Sequence, residues 1–166
     1  MKRTGFALTE LIIVIAIIGI LLGIVSLNFS DWQRKNAIEK QTRELFTEIN
    51  NARTEAIFRK LTQRVTFQPS SYVFKRYSTD NEAYTAGTTV LSRNLPYLLS
   101  LENGDSIADR SVEFNMRGLT TGANFSSSNL TLRVNPANSG ASVDCIIIHI
   151  ARTNLGKMNN GNCTFK

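Results

Sequence analysis

Glu10 stands at the head of an almost unbroken apolar run, and there the residue types and their spacing point to chemistry. Residues 11–27 are interrupted only by Ser26. A charge on a membrane helix costs about 2.5–3.5 kcal/mol near its centre and less near an end, and it marks a function or a partner. Cleavage between Gly5 and Phe6 would create that partner, a free amine on Phe6, with Glu10 about one turn further along the same helical face. The amine and carboxylate of neighbouring copies would then neutralise each other. The chemistry is charge pairing in an apolar medium.

The segment Gly5-Phe6-Ala7-Leu8-Thr9-Glu10, followed by Leu11-Ile12-Ile13-Val14-Ile15-Ala16-Ile17-Ile18-Gly19-Ile20-Leu21-Leu22, closely resembles the class III signal of type IV pilins and pseudopilins. The resemblance implies a prepilin peptidase that cuts after Gly5 and methylates Phe6, and it makes Glu10 the acid that pairs with the new amine during assembly. Two plainer readings compete. A secretory signal peptide needs a basic n-region, an apolar h-region of about 7–15 residues and a small-x-small cleavage site. Lys2 and Arg3 meet the first requirement, but Ser26-Leu27-Asn28 offers no Ala-x-Ala site and Glu10 opens the h-region. A simple single-span anchor fits residues 6–27, since about 20 apolar residues cross a bilayer, yet it leaves Glu10 unexplained. The basic leader would hold Lys2 and Arg3 in the cytoplasm and place the remainder outside.

The elements that would position this charge pair are set by the periodicity. From Asp31 to about Lys60 there is neither proline nor glycine, and Ile38, Leu45, Ile49, Ala52 and Ala56 recur at helical spacing. Lys35, Glu39 and Arg43, with Lys40 and Glu44, lie at four-residue steps on the other faces and read as a solvated surface. One helix over about 6–60 is expected, its first half in a membrane or filament core, its second half covered by a β-rich domain. Gly19 and Gly23 weaken it locally.

After Leu61 the period shortens. Residues 64–67 and 72–77, flanking Pro69 and Ser70, read as a hairpin. Further strands are expected at 90–92, 111–116, 130–134, 144–150 and 163–165, with 95–101 as an edge strand because it holds Pro96. Loops rich in Gly, Asn, Ser and Thr are expected at 122–129 and 159–162. The fold class is therefore α+β, in four parts: a leader at 1–5, a transmembrane and assembly half-helix at 6–27, an amphipathic half-helix at 28–60, and a β-rich domain at 61–166.

The chain carries a formal net charge of +6, of which Lys2 and Arg3 contribute two. That balance permits contact with nucleic acid or anionic lipid, and solubility alone would also explain it. Cys145 and Cys163 are the only cysteines. In an exported domain they read as a disulfide, whose loop closure is worth about 3 kcal/mol. A metal site would need about four ligands, and the single histidine, His149, stands with two thiols that lack C-x-x-C spacing. No G-x-S-x-G elbow, P-loop or H-E-x-x-H motif is present. The expectation is a structural protein with no catalytic residues, no metal and no cofactor.

The second half narrows the resemblance. Val112-Glu113-Phe114-Asn115-Met116-Arg117-Gly118-Leu119-Thr120-Thr121-Gly122, leading to Asn129-Leu130-Thr131-Leu132, resembles the F-x-x-x-G turn and following strand of the GspH/FimT group of minor pilins and pseudopilins. Ala52-Arg53-Thr54-Glu55-Ala56-Ile57 resembles that group's late-helix A-R-x-E-A-I signature, and the cysteine-bounded tail resembles the FimT and FimU branch. The resemblance implies the pilin fold: a long N-terminal α-helix, its N-terminal half transmembrane, packed on a C-terminal antiparallel β-sheet or sandwich. It implies a single-pass protein of the bacterial inner membrane, its globular domain on the periplasmic side, that enters a type IV pilus. Other pilin subunits and prepilin peptidase are the implied partners.

A minor pseudopilin of a type II secretion system shares all these features. The other alternative is a pilus-tip protein that binds DNA. Some FimT-like proteins carry a C-terminal G-R-x-R motif implicated in DNA binding, but this chain has Gly156-Lys157-Met158-Asn159. Lys157 lacks arginine's planar donor fork. Arg152, Lys157 and Lys166 remain as candidate DNA contacts, and nearby cations bind phosphate through counterion release without reading bases.

Overall fold

With no proline before Pro69, and only Gly19 and Gly23 as interior glycines, the N-terminal part of the chain forms one long helix, α1 (Leu8–Arg59). The structure is a computed structural model that describes residues 8–78, 86–121, 129–136 and 139–165, with the side-chain surroundings of 24–28 left aside. The chain divides into two compact units, Met1–Arg34 and Lys35–Lys166.

In the first unit, the large apolar side chains of α1 described between Leu8 and Leu22 are open on every face. Leu11, Ile12, Ile13, Val14 and Ile15 point in successive directions around the helix, yet each is at least 43% exposed. A helix that is apolar all round belongs in a membrane or in the core of a larger assembly. Among the described residues no helix is long and apolar enough to cross a membrane. The expected segment 6–27 includes residues outside that set.

In the second unit the amphipathic stripe is buried as the periodicity requires. Ile38, Leu45, Ile49, Ala52 and Ala56 are each at most 5% exposed, and burying an Ile or Leu side chain contributes about 1.5–3 kcal/mol. Among the described residues, two five-stranded antiparallel sheets complete this core. The first runs β3 (Thr88–Asn94), β2 (Ser71–Arg76), β1 (Gln63–Gln68), β5 (Arg110–Phe114), β6 (Thr120–Thr121). The second runs β10 (Asn162–Phe165), β9 (Thr153–Asn159), β8 (Cys145–His149), β7 (Asn129–Val134), β4 (Leu99–Leu101). Alternation selects Val65, Phe67, Val112 and Phe114 from the first sheet and Leu130, Leu132, Val134, Ile146 and Ile148 from the second, and all join one cluster with the helical stripe.

The expected hairpin forms as β1 and β2, with Gln68 opposite Ser71 across the Pro69-Ser70 turn. The segments expected at 90–92, 111–116, 130–134, 144–150 and 163–165 contain or overlap β3, β5, β7, β8 and β10. The expected edge strand shortens to β4, which starts beyond Pro96 and lies at the edge of its sheet. Gln41 fastens the approach to it, donating from Nε2 to the Tyr97 carbonyl at 2.7 Å and accepting from the Tyr97 amide at 2.9 Å.

Two strands depart from the expectation, the two-residue β6 and the longer β9. β9 reads Thr-Asn-Leu-Gly-Lys-Met-Asn and lacks the β-branched alternation that marks a strand locally, yet it pairs with β8 on one side and β10 on the other. Its two neighbours impose the extended conformation. The expected loop at 122–129 falls, but for Asn129, outside the described residues.

Candidate assembly site

Gly5 and Phe6, the expected processing junction, lie outside the described residues. Glu10 lies in the first turn of α1 with its side chain exposed. Unpaired backbone N–H groups and the positive end of the helix dipole favour a carboxylate at that position. Among the described residues Glu10 has no ion-pair partner. The described residues thus present an exposed carboxyl group near the start of an exposed apolar helix.

The two internal motifs meet in space. Arg53, 8% exposed, donates from Nη1 to the carbonyls of Gly118 (3.1 Å) and Ile150 (3.3 Å), and from Nη2 to the His149 carbonyl (3.3 Å) and Thr153 Oγ1 (3.1 Å). Its guanidinium lies 4.9 Å from the centre of the Phe114 ring. One side chain of the helix therefore ties the turn after β5 to the turn after β8, one from each sheet. Burial lowers the Arg53 pKa from its ordinary value through desolvation. Gly118 has φ +74°, and a Cβ there would lie 2.5 Å from Ile57 Cδ1 and 3.3 Å from Arg53 Cγ. The F-x-x-x-G turn and the A-R-x-E-A-I helix are thus two halves of one contact. Glu55, from the same helical motif, pairs with Arg59 at 2.6 Å and with Arg76 of β2.

Cys145 and Cys163 form the expected disulfide, with Cα atoms 6.1 Å apart. The bond joins β8 to β10, two strands that are not neighbours in the sheet. β9 lies between them, and the bond passes over Gly156, which is opposite Cys145 in one ladder and Phe165 in the other. A Cβ on Gly156 would come within 2.6 Å of Cys163 Sγ, 3.1 Å of Cys145 Sγ and 2.6 Å of the Thr164 carbonyl. The glycine is needed for space. A lone glycine in a strand flanked by two cysteines would have signalled this, had β9 been recognised as a strand.

Of the candidate DNA contacts, Arg152 and Lys157 are not gathered at one point. Arg152 is exposed in the turn before β9, Lys157 is half-buried five residues further along, about 16 Å away on an extended strand, and Lys166 lies outside the described residues. Lys157 also interacts with Asp144, 1% exposed, whose carboxylate accepts the Met158 amide at 2.7 Å. Burial raises the Asp144 pKa, and that hydrogen bond and the Lys157 charge partly counter it. His149 closes β8 with its ring 5.9 Å from that of Phe165, and among the described residues its Nε2 has no hydrogen-bond partner. Among the described residues no three His, Cys, Asp or Glu side chains group as metal ligands.

Residues 1–26 match the prokaryotic N-terminal methylation motif, the signal of type IV pilins. No curated protein and no solved structure matches the chain. The motif fits a type IV pilin-like protein, and the long N-terminal helix followed by antiparallel sheets is an α+β, pilin-like fold. Such a signal implies processing by a prepilin peptidase, membrane anchoring and assembly with other pilin subunits.

Proposed function

We propose that this protein is a minor type IV pilin, a structural subunit that is processed at Gly5-Phe6 and built into a pilus or primes its assembly. The observation that carries the reading is the methylation motif leading, through Glu10, into a helix whose apolar side chains are open all round. Residues 6–27 reside in the inner membrane before assembly and in the filament core afterwards. Because lipid is already apolar, the exchange is driven by close packing and polar pairing. The Phe6 amine supplies the cation and Glu10 the anion. The globular domain, 61–166, stays on the extracytoplasmic side, held to the second half-helix by the buried stripe and by Arg53. The GspH/FimT resemblance supports a minor subunit.

Mass spectrometry of protein from the native host is expected to show loss of residues 1–5 and one added methyl group on Phe6. A mature terminus near Asn28 would instead establish a secretory signal and end the pilin reading. Co-purification with pilus subunits is the expected partner result, and recovery with a type II secretion machine would reassign the protein to a pseudopilus.

Glu10→Ala is expected to leave cleavage and membrane insertion intact while recovery in sheared filaments falls at least tenfold. Removing the carboxylate lowers the insertion cost, so a loss confined to assembly isolates the charge pair. Normal recovery of the variant in normal numbers of filaments would refute the pairing.

A further inference from the structure

Trp32, the only tryptophan, stacks on Phe29 with ring centroids 5.8 Å apart and an interplanar angle of 24°. Phe29 is 50% and Trp32 58% exposed. The pair thus presents a broad aromatic face together with the polar edge of an indole N–H, a combination suited to a boundary between apolar and wet surroundings. Its position along α1 identifies which boundary. The apolar run ends at Leu27, and the first charges beyond it are Asp31 and Arg34. At 1.5 Å per residue, residues 8–27 cover about 30 Å, the thickness of a bilayer's hydrocarbon core. Phe29 then falls about 3 Å, and Trp32 about 7 Å, past its edge. This is the headgroup layer, where Trp and Tyr rings are enriched. The exposed guanidinium of Arg34 comes about 3 Å further out, at the level of lipid phosphate, whose charge it complements.

We propose that Phe29 and Trp32 form an interfacial anchor that docks α1 against the extracytoplasmic headgroup layer of the membrane before assembly. The anchor sets the depth of the helix. Glu10 lies 22 residues from Trp32, about 33 Å along the axis, which brings it about 4 Å inside the opposite edge of the hydrocarbon core, where a charge costs less than at the centre. The same device that holds the helix in register with the bilayer therefore also presents Glu10 at the level from which a neighbouring amine can reach it. This inference rests on the reading that residues 6–27 reside in the bilayer.

The single tryptophan makes the full-length protein its own probe. In phosphatidylcholine and phosphatidylglycerol vesicles containing brominated lipids, Trp32 emission is expected to be blue-shifted and quenched at least twofold more by bromines near the headgroup than by bromines deep in the acyl chains. Phe29→Trp in a Trp32→Phe background moves the reporter about 4.5 Å towards the core, and quenching by the deeper bromines is expected to increase. If Trp32 is unquenched while the protein resists carbonate extraction, the anchor is overturned and the membrane reading stands, the pair then facing protein or water. Stronger deep quenching at Trp32 than at the position 29 reporter overturns it as well. Release of the protein by carbonate removes the membrane reading and the anchor together.

Discussion

Arg53→Met is expected to destabilise the globular unit by about 2–4 kcal/mol, far more than any exposed cation on the same helix. The substitution keeps much of the apolar stem but takes from the Gly118 carbonyl its guanidinium donor, whereas the Ile150 and His149 carbonyls still accept from Thr120 N and Thr120 Oγ1. A buried acceptor stripped of its donor costs about 1–3 kcal/mol, and contact with the Phe114 ring adds about 0.5–2 kcal/mol. Relief from burying a cation offsets part of this sum. Arg53→Lys retains the charge but not the fork, so it is expected to recover less than half of the loss. Arg59→Met makes the contrast. Arg59 pairs with Glu55 on an exposed helix surface, where such pairs are worth about 0.3–0.5 kcal/mol. Urea unfolding of the full chain in detergent measures all three. A loss below about 1 kcal/mol for Arg53→Met would mean that packing alone orients the two turns.

Loss of the disulfide is the second large effect. Cys145→Ser is expected to lower stability by about 2–5 kcal/mol, because the bond closes a separation of 18 residues and holds the edge strand β10 across β9. Intact unreduced protein is expected to be two hydrogens lighter than the reduced form, and two freely alkylated thiols would refute the bond. Gly156→Ala tests its path. The new methyl group meets both sulfurs and the Thr164 carbonyl, and forced overpacking of this kind costs about 1–3 kcal/mol. With both cysteines replaced by alanine the sulfur contacts vanish, so the cost of Gly156→Ala is expected to fall. Such coupling is the mark of residues in direct contact. Equal cost in both backgrounds would show that only the Thr164 carbonyl matters.

Most elements of the fold are legible in the residues themselves. The stripe of Ile38, Leu45, Ile49, Ala52 and Ala56 specifies a helix face because 3.6 residues per turn bring those positions together, whatever they pack against. β1, β2 and β8 are legible because β-branched and aromatic residues make up half or more of each, and β7 because Leu130, Leu132 and Val134 alternate along it. β9 is different: its polar residues and central glycine carry no local preference strong enough to show, and its strand state is decided by hydrogen bonds to β8 and β10. The disulfide partners are fixed by there being only two cysteines, whereas the strand lying beneath the bond is not.

The same division holds at the site. Sequence by itself determined the processing signal, the acid at position 10, the helical period, the sequence of most strands and the disulfide pairing, because each depends on covalent order or on a local repeat. Tertiary structure decided that Arg53 reaches carbonyls 65 to 97 positions away, that Gly118 and Gly156 are needed for close approach, and that Arg152 and Lys157 sit at separate places, one in the turn before β9 and one within it. These are contacts and separations between segments remote along the chain or set by strand pairing. They exist only once two sheets and a helix close on a shared core, because no local pattern encodes which distant carbonyl a buried guanidinium will find.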